Sequence, residues 1–122
     1  MTRAVRGAIK AAENERRAIH AAGVRLMREI MRSNAIRIED VVSVMFSLTN
    51  DLDAGNPATG LREAGFAETP LFCVQEARVE GSMPGIIRAL VTFECEPDRK
   101  ITAVYLDGAE ALRPDLDPGR ST

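Results

Sequence analysis

FCVQEARVEGSMPGIIRALVTFEC, residues 72–95, is the stretch on which the fold turns. Two apolar segments flank a Gly/Pro turn, so it reads as strand, turn, strand. Alternation along the second segment puts Ile87, Ala89, Val91, Phe93 and Cys95 on one wholly apolar face, which predicts core. Its other face carries Ile86, Arg88, Leu90, Thr92 and Glu94. In the first segment Leu71, Cys73, Gln75 and Ala77 share one side, and Phe72, Val74, Glu76 and Arg78 the other. A charge inside a strand is costly unless it is partnered. Arg88 and Glu76 therefore either pair with each other or face a ligand. For Arg88 alone, the plain structural alternative is a guanidinium that reaches the sheet edge or pairs with Glu76 or Glu94. Cys73 and Glu76 are three apart, so a regular strand points them to opposite faces. For both to touch one ligand, the strand must bulge or Cys73 must contribute backbone atoms.

Working outward, residues 2–9 read as a first strand, with Arg6 beside Gly7, a residue that permits close approach. Asn14 is placed to cap a helix from Glu15. Its apolar positions are Ile19, Ala22, Leu26, Met27, Ile30 and Met31, a single helical face, and Ser33-Asn34 ends it. VVSVMFSLT (41–49) is rich in β-branched residues and reads as a central strand. Val42, Val44, Phe46 and Leu48 share one of its faces, and Val41, Ser43, Met45 and Ser47 the other. Asn56-Pro57 opens a short helix running to about Gly65. Further strands are predicted near 70–78, 86–95 and 101–107. The order β-α-β-α-β-β-β is an α+β pattern: a five-stranded mixed sheet with one long and one short helix. Two helices cover one face of such a sheet, and a sheet with two partly apolar faces needs cover on both. A neighbouring copy of the chain is the simplest source of the missing cover, so a homo-oligomer is expected. The alternative is a monomer with one solvated sheet face.

The 122 residues suggest one domain, 1–122, with the tail PDLDPGRST (114–122) expected to be mobile. A formal net charge of −2 and 4% aromatics argue against a nucleic-acid binder. No apolar run approaches a membrane span, and the N-terminus lacks the apolar core of a secretion signal. Cys73 and Cys95 show no metal spacing, so a reduced, cytoplasmic setting without a metal or other cofactor is expected. Phosphate-binding, metalloprotease and nucleophile-elbow motifs are absent. The one histidine, His20, falls mid-helix, away from any evident serine or cysteine partner, and reads as a surface residue. What remains is a set of arginines and one strand-borne carboxylate. If this is an enzyme, its reaction is expected to need little proton transfer or covalent catalysis. Read singly, Arg62 is a solvated helical charge, Tyr105 a packed ring with a wet hydroxyl, and Arg113 an exposed charge beside Pro114.

Taken in order, RAVRGA, EDVVSVMFSLTNDLDA, PATGLREAGF, PLFCVQE, the lone Arg88 in GIIRALVTF, and VYLDGAEALRPDL make a specific set spanning about Arg3 to Leu116. The chain resembles the small trimeric, barrel-like class of chorismate mutase, distinct from the all-helical class. The resemblance implies an isomerase that rearranges chorismate to prephenate in aromatic amino acid biosynthesis. It also implies a homotrimeric pseudo-α/β-barrel with active sites between subunits. By resemblance, Arg88 contacts the substrate's ether oxygen and a carboxylate, and Arg6 a carboxylate. Glu76 accepts from the ring hydroxyl, Cys73 lies beside that hydroxyl, and Tyr105 offers its phenol to a carboxylate. Arg62 and Arg113 match peripheral cations, Arg113 on a tail that helps close the site, with Leu112 as an apolar wall. On this reading Glu76 and Arg88 straddle a ligand without needing to neutralise each other. Two positions depart from the family: Asn56 stands where an aromatic wall precedes the proline, and Thr59 where a lysine follows it. Two other readings compete. One is an imine deaminase of the Rid type, also a trimeric barrel with an interface arginine. The other is a non-catalytic anion-binding regulatory trimer.

Overall fold

The computed structural model describes residues 1–113, and the expectation of a mobile tail falls on residues outside them. Five strands and two α-helices follow in the order β1 (Thr2–Lys10), α1 (Arg16–Asn34), β2 (Val41–Leu48), α2 (Pro57–Glu63), β3 (Leu71–Gln75), β4 (Ile86–Glu94) and β5 (Val104–Leu106). Short 3-10 turns at Ile38–Asp40 and Ala109–Leu112 complete them. This is the α+β pattern read from the sequence. The strands form one mixed sheet in the order β3-β2-β4-β1-β5. The long pairs β1–β4 and β2–β4 are antiparallel, and the short edge strands β3 and β5 run parallel to β2 and β1. β4 therefore lies at the centre of the sheet.

Both helices pack on one face. Ile19, Leu26, Met27 and Ile30 of α1 and Leu61 of α2 are fully buried against Phe46 of β2 and Ile87, Val91 and Phe93 of β4. Each of these strand residues belongs to the apolar alternation of its own segment. At roughly 1.5–3 kcal/mol for each large side chain buried, this face supplies most of the drive to fold. Close approach is built in with glycine. A Cβ on Gly7 would sit 2.8 Å from Ile30 Cδ1 and 2.9 Å from the Val104 carbonyl, so α1 rests directly on β1.

Where the elements depart from expectation, side chains account for it. Asn14 does not cap α1. Its amide instead holds the following loop, donating to Asp53 Oδ1 and accepting from the N–H groups of Asp53 and Ala54 at 3.1 and 3.0 Å. Glu15 stands at the N-cap without a side-chain bond. Asn56 does cap α2, accepting from Ala58 N–H at 2.8 Å. The strand expected from residue 101 starts only at Val104, because Thr102 spends its backbone on buried Asn34. That amide accepts from Thr102 N–H at 2.7 Å and donates to the Thr102 carbonyl at 2.9 Å, taking the place of a strand neighbour. His20 is not a free surface residue. Its Nε2 accepts from Asn56 N–H at 3.3 Å, its Nδ1 lies 3.6 Å from a Glu63 oxygen, and it is 16% exposed, so it joins α1 to α2.

Candidate active site

The face opposite the helices carries the alternate residues of the same strands. Strand register arranges them in rows. One row runs Val74, Ser47, Arg88, Ala8, Tyr105 across all five strands. The next runs Phe72, Met45, Leu90, Arg6. Neighbouring strands lie about 4.8 Å apart, so Arg88 and Tyr105, two strands apart, are separated by about 10 Å at the backbone. Between them Ala8 provides a low floor, and Arg6 stands one pleat away on the same strand. This spacing suits a small ligand carrying more than one anionic group.

Arg6, Arg88, Tyr105, Arg113 and Ser47 line one cleft of about 270 Å³, with Met45 and Leu90 as apolar walls. Leu112 packs beside it with Tyr105 on the small cluster of Ala8, Ile86 and Ala109. In the single chain the cleft falls just below the usual range of ligand-site sizes. Arg6 is exposed, whereas Arg88 and Tyr105 are half-buried.

Glu76 borders this cleft: it lines the neighbouring pocket with Thr49, Asn50 and Asp51, and meets Ser47 and Arg88 from there. β3 stops at Gln75, yet Glu76 keeps the side of Phe72 and Val74 that alternation gave it. Its backbone is clamped to the end of β2: its N–H donates to the Leu48 carbonyl at 2.7 Å, and its carbonyl accepts from Asn50 Nδ2 at 2.7 Å. The carboxylate then turns onto the open face, where Oε2 accepts from Ser47 Oγ at 2.6 Å and from Arg88 Nε at 2.9 Å. Of the two arrangements open to Glu76 and Arg88, the single chain shows the direct pair. The backbone clamp to Leu48 and Asn50 holds the carboxylate beside Ser47 and Arg88. The contact uses Nε, and the two terminal nitrogens of the guanidinium are not spent on it.

The single chain does not bring Cys73 and Arg62 to this cleft. Cys73 pairs in register with Phe46 and packs against the helix-covered core, and burial pushes its thiol above the ordinary value. Arg62 lies in the last turn of α2, the helix packed on the covered face. Sequence reasoning missed Ser47 and Asn50 as supports of Glu76. Alternation placed Ser47 on the correct face of its strand, but only cross-strand register shows that it neighbours Arg88. Among the described residues no group of three or more His, Cys, Asp or Glu is placed to hold a metal ion. Nor is any helix among them long and apolar enough to cross a membrane.

An arginine-lined cleft on the open face of a mixed sheet, without a nucleophile-base pair among its lining residues, has the chemistry to hold and orient a small anion. Comparison with known proteins narrows this. The family model for chorismate mutase type I matches residues 2–116. The curated protein chorismate mutase AroH of Thermus thermophilus is 37% identical over 119 residues, covering 96% of this chain and 98% of that protein. Its namesake from Bacillus subtilis is 35% identical over 124 residues, covering 100% of this chain and 98% of that protein. Among solved structures, a chorismate mutase from Clostridium thermocellum superposes with a TM-score of 0.85 at 35% identity, covering 89% of this chain and 98% of that one. The chain belongs to the type I chorismate mutase family, and with it to the isomerases. The deaminase reading is thereby displaced.

Proposed function

We propose that this protein rearranges chorismate to prephenate, in the cytoplasm, as a homotrimer with one cleft at each subunit seam. The observation that carries the reading is the cleft on the open face: Arg6, Arg88 and Tyr105 surround the Ala8 floor with no nucleophile among them. The rearrangement is intramolecular. One carbon–oxygen bond breaks as one carbon–carbon bond forms, and no protein atom need bond to the substrate. The ether oxygen gains negative charge as its bond breaks. A guanidinium fixed beside it stabilises that arrangement more than the resting substrate, which is the condition for acceleration. Removing one oxyanion donor costs about 3–4 kcal/mol in comparable sites. The forked donors of Arg88 can hold the ether oxygen and a carboxylate together, which a lysine point charge cannot. Arg6 and Tyr105 hold the carboxylates, Glu76 takes the ring hydroxyl, and together they keep the substrate compact with its reacting carbons in contact.

The open face supports the trimeric reading. Phe72, Met45, Val74 and Leu90 are 61, 48, 39 and 41% exposed, large apolar side chains on the bare sheet face of one molecule. Three copies packing these faces inward would form the barrel core. A neighbour's α2 would then bring Arg62 to the rim of the cleft, and its Asn56 and Thr59 to the mouth. Arg113 would close the site, with Leu112 as a wall. Cys73 would lie near the ring hydroxyl through its backbone. The thiols of Cys73 and Cys95, both unpaired with each other, suit a reducing compartment.

The test is to follow loss of chorismate by its ultraviolet absorbance with purified protein, and to identify the product as prephenate. Turnover supports the reading. Tight chorismate binding without turnover would instead favour the anion-binding regulator.

A further inference from the structure

Resting on the chorismate mutase reading, the geometry points to Ser47 as a positioning residue: its hydroxyl fixes the Glu76 carboxylate, and the carboxylate in turn sets the Arg88 fork. The row across the sheet places Ser47 directly beside Arg88 in register. Ser47 Oγ donates to Glu76 Oε2 at 2.6 Å, and Arg88 Nε donates to the same oxygen at 2.9 Å. Two donors converging on one oxygen fix the direction of the carboxylate as well as its place. The backbone of Glu76 is already tied to β2 through Leu48 and Asn50, so the hydroxyl removes the remaining side-chain freedom. A carboxylate so held engages Arg88 by Nε, and the planar guanidinium can then present only its terminal nitrogens to the cleft. Its other oxygen, Oε1, is the acceptor for the ring hydroxyl. Ser47 thus divides the labour of Glu76: one oxygen organises the cation and the other receives substrate.

This role differs from that of the bulk site, because Ser47 contributes no charge of its own. Its loss leaves Arg6, Arg88 and Tyr105 in place but lets Glu76 swing, and with it the fork of Arg88. Misalignment of that fork weakens the transition state more than the resting complex, since the ether oxygen acquires charge only as the bond breaks. The effect therefore falls on kcat and leaves KM nearly unchanged.

The experiment measures kcat and KM for chorismate with Ser47→Ala, Ser47→Thr and Ser47→Val, each checked by circular dichroism and sedimentation. For Ser47→Ala we expect kcat to fall about tenfold with KM within about twofold of wild type, the tenfold corresponding to about 1.4 kcal/mol. Thr keeps the hydroxyl and suits a strand, so it should restore kcat to within about threefold of wild type. Val matches Thr in shape without the hydroxyl, so the Thr/Val pair isolates the hydrogen bond should the Ala variant fold poorly. The inference is overturned by an Ala variant that retains wild-type kcat, or by Thr and Val variants impaired alike. A wild-type chain that does not turn chorismate over sinks both readings. An active wild-type chain indifferent to the Ser47 hydroxyl sinks this one alone.

Discussion

The two faces of the sheet are built from the same strands and differ in almost every other respect. On the helix-covered face, Phe46, Ile87, Val91 and Phe93 are fully or almost fully buried. On the open face, one residue along, stand Ser47, Arg88 and Leu90, with Arg6 opposite Leu90 on β1. The covered face is closed within one chain and specifies the fold. The open face is covered at one end only, where Ala109 and Leu112 pack with Ala8 and Ile86, while Phe72, Met45, Val74 and Leu90 stay exposed and its cations line a cleft. Period-two alternation lets one strand serve both tasks, so a substitution should act on stability or on function according to the parity of its position.

Four substitutions break or sharpen that contrast. The largest effect is expected from Leu90→Asp, which puts a charge on the apolar part of the open face. Burying three such charges at a trimer centre costs several kcal/mol each, so sedimentation equilibrium should show dissociation while circular dichroism keeps its native shape. If the mass is unchanged, the proposed interface is misplaced. Next is Phe93→Ala on the covered face. A cavity there should cost about 3–5 kcal/mol in denaturant unfolding, without altering KM in the molecules that remain folded. Arg88→Lys keeps a positive charge but loses the fork. It should lower kcat/KM roughly 100-fold, about 2.7 kcal/mol, with melting temperature unchanged. The smallest effect belongs to neither face. Asn56→Ala removes the α2 cap and should cost about 1 kcal/mol in thermal unfolding, with at most a modest change in KM.

What the sequence made legible follows the same division. Alternation in residues 86–95 picked out Ile87, Ala89, Val91 and Phe93 as the helix-covered face, because a buried strand in contact with helices enforces period two. The 3.6-residue spacing of Ile19, Leu26, Met27 and Ile30 found the buried face of α1 for the analogous reason. Local polar chemistry was less readable. Asn14 and Asn56 look alike as cap candidates, yet Asn14 is claimed by Asp53 and Ala54, a contact 39 and 40 residues away. Thr102 sits in a β-prone run, but buried Asn34 takes its hydrogen bonds. The site shows both limits. Arg88 stood out as a charge in an apolar run, whereas Ser47 is an ordinary strand serine until the register with β4 is known. Glu76 lies just past the end of β3 but keeps the face that alternation gave it, and of the two readings open for it, the direct pairing with Arg88 is the one seen in the single chain. The family resemblance supplied roles for Arg62 and Cys73 that one chain's packing does not display, since neither shares the cleft with Arg88.

The central claim is that the Arg88 cation, preset on the open face, lowers the barrier for a substrate that reacts with itself. Steady-state turnover of chorismate by Arg88→Ala, beside matched circular dichroism, sedimentation and thermal melts, tests it most directly. We expect an intact assembly with kcat/KM lowered by at least about 1,000-fold. An equally well-folded variant that retains activity within about tenfold of wild type would contradict the account.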